Sequence, residues 1–406
     1  MRPSALTPCA VVACCVTIAA CSQATEPSRL PYAPTVRVAP DRVVEPLSYR
    51  VLFSFGSATS GPSDGCSPRA GLIDSGGTLY GTTSEGGHPA SQGFGTAFSL
   101  TAQGKETVLH SFGKGMDGRV PEAGLIDVGG TLYGTTLDGG ANGDGTVFTV
   151  TASGTESVLY SFGKSGGDGH GPAADLVDVG STLYGTTDAG GTHGGGTVFS
   201  ITTGGKEKVL HSFGGGKDGR APVASLIAVG GTLYGTTLSG GSQDDGTVFS
   251  ITKRGKEKVL YSFGSSSGDG VGPAAGLVDV SGTLYGTTDS GGAHGVGTAF
   301  SITTGGSETV LYNFGVNRLD GRQPEAALIV VVGTLYGTTQ VGGTHGAGTV
   351  FSITTDGSEK VLYNFGLRGT SGGLPSAPLI EVSKTLYGTT AEGGQHSCGT
   401  VFALKP

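Results

Sequence analysis

Two residue types recur at spacings that could do chemistry. His193, His294, His345 and His396 each stand two residues after a Gly-Gly pair, and His88 directly follows another. Imidazoles repeated on one face of a molecule are the raw material of a metal site. Asp64, Asp117, Asp168, Asp218, Asp269 and Asp320 each precede a glycine, and such carboxylates could bind calcium or line a polar groove. Two further acidic series are Asp74, Asp127, Asp178, Asp279 and Glu381, and Glu106, Glu156, Glu207, Glu257, Glu308 and Glu359.

Whether these groups converge depends on the elements that carry them. The pentapeptide Leu-Tyr-Gly-Thr-Thr begins at Leu79, Leu132, Leu183, Leu233, Leu284, Leu335 and Leu386, in steps of 53, 51, 50, 51, 51 and 51 residues. So regular a period marks one supersecondary unit copied in tandem. In the third copy, residues 174–179, 182–187, 196–202 and 208–213 are strand-length runs separated by Gly-Ser, Gly-Gly and Gly-Gly turns. Nothing in the unit has helical spacing. Four antiparallel strands per repeat predict a blade, and seven copies predict an all-β, seven-bladed β-propeller over residues 47–406. The period is close to that of kelch repeats, although the chain has no Trp, which those repeats commonly carry.

Strand counting fixes where the ring closes. The seventh copy ends at Pro406 without a fourth strand, whereas Val51-Leu52-Phe53-Ser54-Phe55 precedes the first copy as an orphan. Placing 51–55 as the outer strand of the last blade completes the ring and removes an exposed edge. Cys66 lies in the link from a fourth strand to the next first strand. Cys398 lies in the loop between the second and third strands of the last blade. Both connections leave an up-and-down blade on the same face, so a Cys66–Cys398 disulfide is expected across the seam, with two free thiols as the alternative.

Blade geometry weakens the histidine ring as a metal site. Packed sheets lie about 10 Å apart, whereas two ligands on one zinc sit roughly 3–4 Å apart when Zn–N is near 2.1 Å. Loop hydrogen bonding is the expected role of these histidines, and no metal or other cofactor is expected. One carboxylate per blade is also a poor calcium site, and Asp-Gly is a favoured turn pair. The glutamates beside the third hairpin are expected to pair across strands with Thr or Lys. Catalysis normally needs one nucleophile, one base and one orienting group, and near-equivalent copies offer no such asymmetry.

The N-terminus is a separate matter. Arg2 and the apolar stretch Ala5–Ala20 read as an export signal, too short to span a bilayer comfortably. Ile18-Ala19-Ala20-Cys21 resembles the lipobox of bacterial lipoproteins, which implies lipidation at Cys21; an ordinary secretory signal is the alternative. Ser22 after that cysteine implies, by the same resemblance, sorting to the outer membrane. Residues 21–46, with Pro27, Pro31, Pro34, Pro40 and Pro46, read as a tether. The net charge of −8 is spread along the chain without a Lys/Arg cluster, which argues against nucleic acid.

The run Val158-Leu159-Tyr160-Ser161-Phe162-Gly163, Asp168-Gly169, Pro172, Gly185-Thr186-Thr187 and Gly196-Thr197-Val198-Phe199 recurs with few changes. It resembles the GloVer tandem-repeat family of bacterial surface proteins, over about residues 51–405. One departure is Ser371, which stands where six copies carry the link aspartate. The resemblance implies a surface-displayed domain with varied anchors and no settled catalytic residues. The expected protein is an exported, lipid-anchored monomer that acts as a non-catalytic binding module. Its partners would be an extracellular glycan or envelope protein, besides the membrane at Cys21, with the histidines and link aspartates on the binding-face loops. A polysaccharide-active enzyme with its site at the channel mouth, and a purely structural surface repeat protein, are the alternatives.

Overall fold

The computed structural model describes residues 47–57, 64–87, 93–366 and 370–406. Cys21, the leader at 1–20 and the tether at 21–46 lie outside the described residues, as does His88. Every regular element described is a strand. Seven antiparallel four-stranded sheets form the blades of a propeller, and short two-stranded ladders join some links to the loops beside them. In the third blade the strands are Val177–Asp178, Thr182–Thr187, Thr197–Thr202 and Glu207–Ser212, from the channel outward.

Each residue of the repeated pentapeptide has a packing task. Leu183 is fully buried and Tyr184 nearly so. Gly185 leaves room for its neighbours, because a Cβ there would lie 2.6 Å from Phe199 Cζ and 2.9 Å from Leu176 Cδ2. Thr187 works within the blade: its hydroxyl meets Thr197 Oγ1 at 2.9 Å and donates to the Ala189 carbonyl at 2.9 Å. Thr186 works between blades, donating to the Ala224 carbonyl of the next blade at 3.1 Å.

That last contact recurs at all seven blade interfaces, at 2.9–3.3 Å, and the final one runs from Thr389 to Ala70. Beside it, a phenylalanine at the end of each outer strand meets the third-strand phenylalanine of the next blade edge-on. The seven pairs, from Phe55–Phe98 to Phe365–Phe402, have centroids 4.9–5.2 Å apart. Edge-on aromatic pairs add about 0.5–1.5 kcal/mol beyond their burial, and a net hydrogen bond about 1 kcal/mol. Burial of the large side chains therefore dominates each interface, and the hydrogen bond sets its register.

The ring closes by the N-terminal strand, which extends over Ser48–Ser54 and pairs antiparallel with Thr400–Lys405. Phe55, fully buried, packs with Leu72, Leu79 and Phe98 of the first blade. Cys66 and Cys398 are disulfide-bonded across this seam, with Cα atoms 4.5 Å apart. Between the second and third blades the corresponding positions hold His170 and Asp144, whose Nδ1 and Oδ1 lie 3.9 Å apart. A covalent bond thus stands at the seam where another interface has only a long polar contact.

Two expectations need correction. The inner strand of the third blade is only two residues long, not the run 174–179. Asp175 instead faces the channel between the buried Ala174 and Leu176, and the Ala174 carbonyl accepts the hydroxyl of Thr135 from the preceding blade. The glutamates that open the outer strands do not rely on cross-strand pairs alone. Glu207, Glu308 and Glu359 face the link aspartates Asp168, Asp269 and Asp320 of the preceding blades and reach Tyr160, Tyr261 and Tyr312 there. Burial first, and the neighbouring aspartate second, push each of these glutamates up to about 7. The interface between the sixth and seventh blades replaces both acids together, with Tyr49 at the glutamate position and Ser371 at the aspartate position. Tyr49 hydrogen-bonds the Ser371 carbonyl and stacks on Tyr363 at 3.9 Å.

Three outcomes follow from this packing. Thr186→Val should lower unfolding free energy by about 1 kcal/mol in chemical denaturation, since it removes one interface hydrogen bond while conserving shape. Reduction of Cys66–Cys398 releases a cross-link spanning 332 residues, worth at most about 5–6 kcal/mol by chain entropy. A clear drop in melting temperature with reductant, and no labelling of Cys66 or Cys398 in the unfolded oxidised chain, are therefore expected. The glutamates hold a proton in the folded state that the unfolded chain releases above its ordinary carboxyl range. Their contribution is complete below pH 4.5 and is lost as pH rises through about 7. Glu308→Gln should accordingly raise the melting temperature at pH 8 and leave it nearly unchanged at pH 5.

Candidate functional site

The structure separates the two residue series that the spacing singled out. His193, His294, His345 and His396 are exposed on the loops between second and third strands. His193 Nδ1 meets the adjacent Thr192 hydroxyl at 3.2 Å, which is loop hydrogen bonding. Asp117, Asp168, Asp269 and Asp320 are buried, and Asp218 is half-buried. Their carboxylates turn into their own links. Asp168 accepts from Tyr160 Oη at 2.9 Å, Lys164 N at 3.0 Å and Gly169 N at 2.9 Å. Asp320 repeats the arrangement with Tyr312, Gly315, Val316 and Gly321. Carboxylates with so many donors hold the turn, so they are not presented to solvent as a ring.

The asymmetry lies elsewhere, in the segment Pro-x-Ala-x-Leu that leads into each inner strand. Its Ala and Leu are buried in every blade. Side chains alternate along an extended segment, so the two intervening positions face the channel. Read from the first to the seventh blade, the first position is Arg69, Glu122, Ala173, Val223, Ala274, Glu325 and Ser376. The second is Gly71, Gly124, Asp175, Ser225, Gly276, Ala327 and Pro378. These series differ from copy to copy while their neighbours repeat, and that variation is visible once the copies are aligned. The sequence reading compared loops and links instead and missed it.

The second series narrows the channel. A Cβ on Gly71 would lie 2.8 Å from Pro378 Cγ, and the lined space is only about 200 Å³. Asp175 pins this constriction: its Oδ1 accepts from Gly124 N of the preceding blade at 2.5 Å, and its own N–H donates to Ser225 Oγ of the next at 3.1 Å. Burial raises the Asp175 carboxyl, and hydrogen bonding to it by the Gly124 N–H and the Ser225 side chain opposes the rise. The crowding comes from surrounding atoms, for Asp175 keeps partial exposure to the channel.

The first series forms the mouth. Arg69 is exposed there, and its charge favours the ionised forms of both Glu122 and Glu325. Burial nevertheless raises both carboxyls, helped by Asp138 beside Glu122 and Asp289 beside Glu325. Gln340 Nε2 donates to Glu325 Oε2 at 2.7 Å and fixes its orientation. Asp188 joins the acidic side, raised by burial and by Asp138 and Glu122, with His170 opposing. The mouth therefore offers oriented acceptors, carboxyls whose burial disfavours their charge, and one exposed cation. That donor and acceptor set suits a polar, hydroxyl-rich ligand.

A second concavity, of about 740 Å³, lies at the seam and is lined by Tyr49, Arg50, Tyr363, Ser371, Gln395 and His396 among others. It brings His396, one of the loop histidines, together with the two stacked tyrosines. Among the described residues one cluster has the composition of a metal centre, His110, Asp117 and Glu156. It uses none of the loop histidines.

Comparison with known proteins agrees with this architecture. No curated protein sequence matches the chain. Among solved structures, PorZ, described as an essential bacterial surface component of the type-IX secretion system of Porphyromonas gingivalis, superposes with a TM-score of 0.54 at 16% identity. The match covers 87% of this chain and 48% of PorZ. A puromycin hydrolase superposes with a TM-score of 0.51 at 14% identity, over 82% of this chain and 50% of that one. The chain thus spans about half the length of these structures, and identities this low establish a shared fold alone. Residues 45–237 and 204–402 each match the Gloeobacter/Verrucomicrobia repeat. The two matches together span nearly the whole propeller, and the chain belongs to that repeat family.

Proposed function

We propose that this protein is an exported, lipid-anchored propeller that acts as a non-catalytic binding module at the cell surface, with the channel mouth as its ligand site. The observation that carries the reading is the asymmetry of the mouth. Arg69, Glu122 and Glu325 occupy a position that is otherwise Ala, Val or Ser, within a ring whose remaining positions are held by packing. A rigid ring presents such groups at fixed separations, which lowers the ordering cost of binding. Carboxylates and a guanidinium in a shallow recess match the hydroxyls and charged substituents of an extracellular glycan, or a polar segment of an envelope protein. The lipobox-like Ile18-Ala19-Ala20-Cys21 supports export and anchoring. PorZ, a surface component with the same fold, supports cell-surface display as a use for such a ring.

One observation favours a polysaccharide-active enzyme as the second reading. Glu122 and Glu325 are both raised carboxyls under the influence of one arginine, and paired carboxyls are the usual acid and base of glycoside chemistry. Glycan-array binding by the exported protein, followed by product analysis on the glycans retained, separates the two. Retention without product, lost in Arg69→Ala and in the Glu122→Gln/Glu325→Gln double variant, is expected. New reducing ends or unsaturated products would overturn the binding reading, and retention unchanged in both variants would remove the mouth as the site.

A further inference from the structure

The interface between the first and second blades differs chemically from its neighbours. Where the outer strands of the second, fourth and fifth blades carry Tyr160, Tyr261 and Tyr312, that of the first blade carries His110 and that of the third carries His211. His110 Nε2 lies 2.8 Å from Asp117 Oδ2. Glu156 enters from the next blade, and one ligand atom from each of the three residues lies within 4.8 Å of the others. Oε1 of Glu156, like that of the five equivalent glutamates, is buried without a hydrogen-bond partner, and here it faces a histidine. The other groups are held in place: Gly118 N donates to Asp117 Oδ1 at 2.6 Å, so Oδ2, now paired with His110 Nε2, is the oxygen that an ion between the two residues would take over. The His110 ring packs edge-on against Phe112, with centroids 4.8 Å apart.

We propose that His110, Asp117 and Glu156 form a binding site for a divalent transition-metal ion of the zinc class. The ligand atoms match that chemistry, an imidazole nitrogen and two carboxylate oxygens, with bonds of about 2.0–2.2 Å expected. An ion at their centre needs movements of well under a side-chain length. Three protein ligands leave one tetrahedral position open, and Asp117 also lines a groove of about 380 Å³ through which an ion or a further ligand can enter. A magnesium or calcium ion fits less well, since both favour all-oxygen shells of six or more ligands. Tyrosine-bearing interfaces cannot do the same, because a neutral phenol donates its single proton to the aspartate, as Tyr160 does to Asp168 at 2.9 Å. His211 and Asp218, 3.0 Å apart, repeat only part of the arrangement. Among the described residues the full three-ligand grouping occurs only at His110.

The site ties two blades together, so bound metal should stabilise the ring whether or not the channel mouth binds a glycan. The molecule supplies its own control variants. His110→Tyr places there the residue found at Tyr160, and His110→Phe the residue found at Phe53 in the last outer strand; both keep the aromatic packing. Zinc binding to the exported protein is measured by competition with a fluorescent chelator, alongside melting temperature with and without zinc and the visible spectrum of the cobalt(II) form. The expected result is one zinc equivalent that raises the melting temperature and gives a tetrahedral cobalt spectrum. Changes in outer-shell residues alone cost about 10–100-fold in metal affinity, so both His110 variants should bind at least about tenfold more weakly and lose the spectrum. Substituting His193 by Asn should leave this equivalent intact. The proposal is overturned if no tight equivalent exists, or if His110→Tyr retains it.

Discussion

Everything in this molecule depends on a contact that no single blade can make. The Thr186 hydroxyl reaches the alanine carbonyl of the next blade, and the same contact recurs around the ring until Thr389 returns to Ala70. Beside each hydrogen bond, two phenylalanines meet edge-on in a region from which solvent is excluded. A blade alone would leave both faces of that packing open to water. Only a closed circle satisfies all seven interfaces, which makes the ring a cooperative object although its sequence is a series of copies.

That demand explains where chemistry can and cannot reside. Leucine, glycine and both threonines of the pentapeptide are committed to packing or hydrogen bonding, so their recurrence says nothing about a ligand. The link aspartates are committed too, since Asp168 and Asp320 each hold several donors in their own turns. Freedom to vary remains at side chains that point into the channel or sit at blade edges. Arg69, Glu122, Asp175 and Glu325 use the first freedom. His110 in place of tyrosine, and Tyr49 with Ser371 in place of two acids, use the second.

Much of the architecture was legible in the chain. The period gave the blade, and the missing last strand gave the closure. Cys66 and Cys398 gave the covalent seam, because strand counting places them on one face. The channel site was not legible by the same route. Arg69, Glu122 and Glu325 belong to three different copies, and only the ring's geometry turns three sequence-distant residues into one mouth. The carboxyl pairs were missed for a similar reason. Glu308 opens one outer strand while Asp269 lies in the link before it, and curvature of the ring, not strand pairing, sets them face to face. The short inner strand also escaped the pattern, because residues 174–176 have strand-like alternation but the Ala174 carbonyl and the Asp175 N–H bond to neighbouring blades.

Closure by the N-terminal strand is the claim on which the ring stands, and its backbone amides report on it directly. In hydrogen exchange under native conditions, amides of Ser48–Ser54 that bond to Thr400–Lys405 are expected to be protected like those of Glu308–Asn313, an outer strand contributed by its own copy. Reduction of Cys66–Cys398 should loosen the former more than the latter. Exchange of 48–54 at the rate of an unstructured segment, with the remaining blades still protected, would contradict the closed seven-bladed ring.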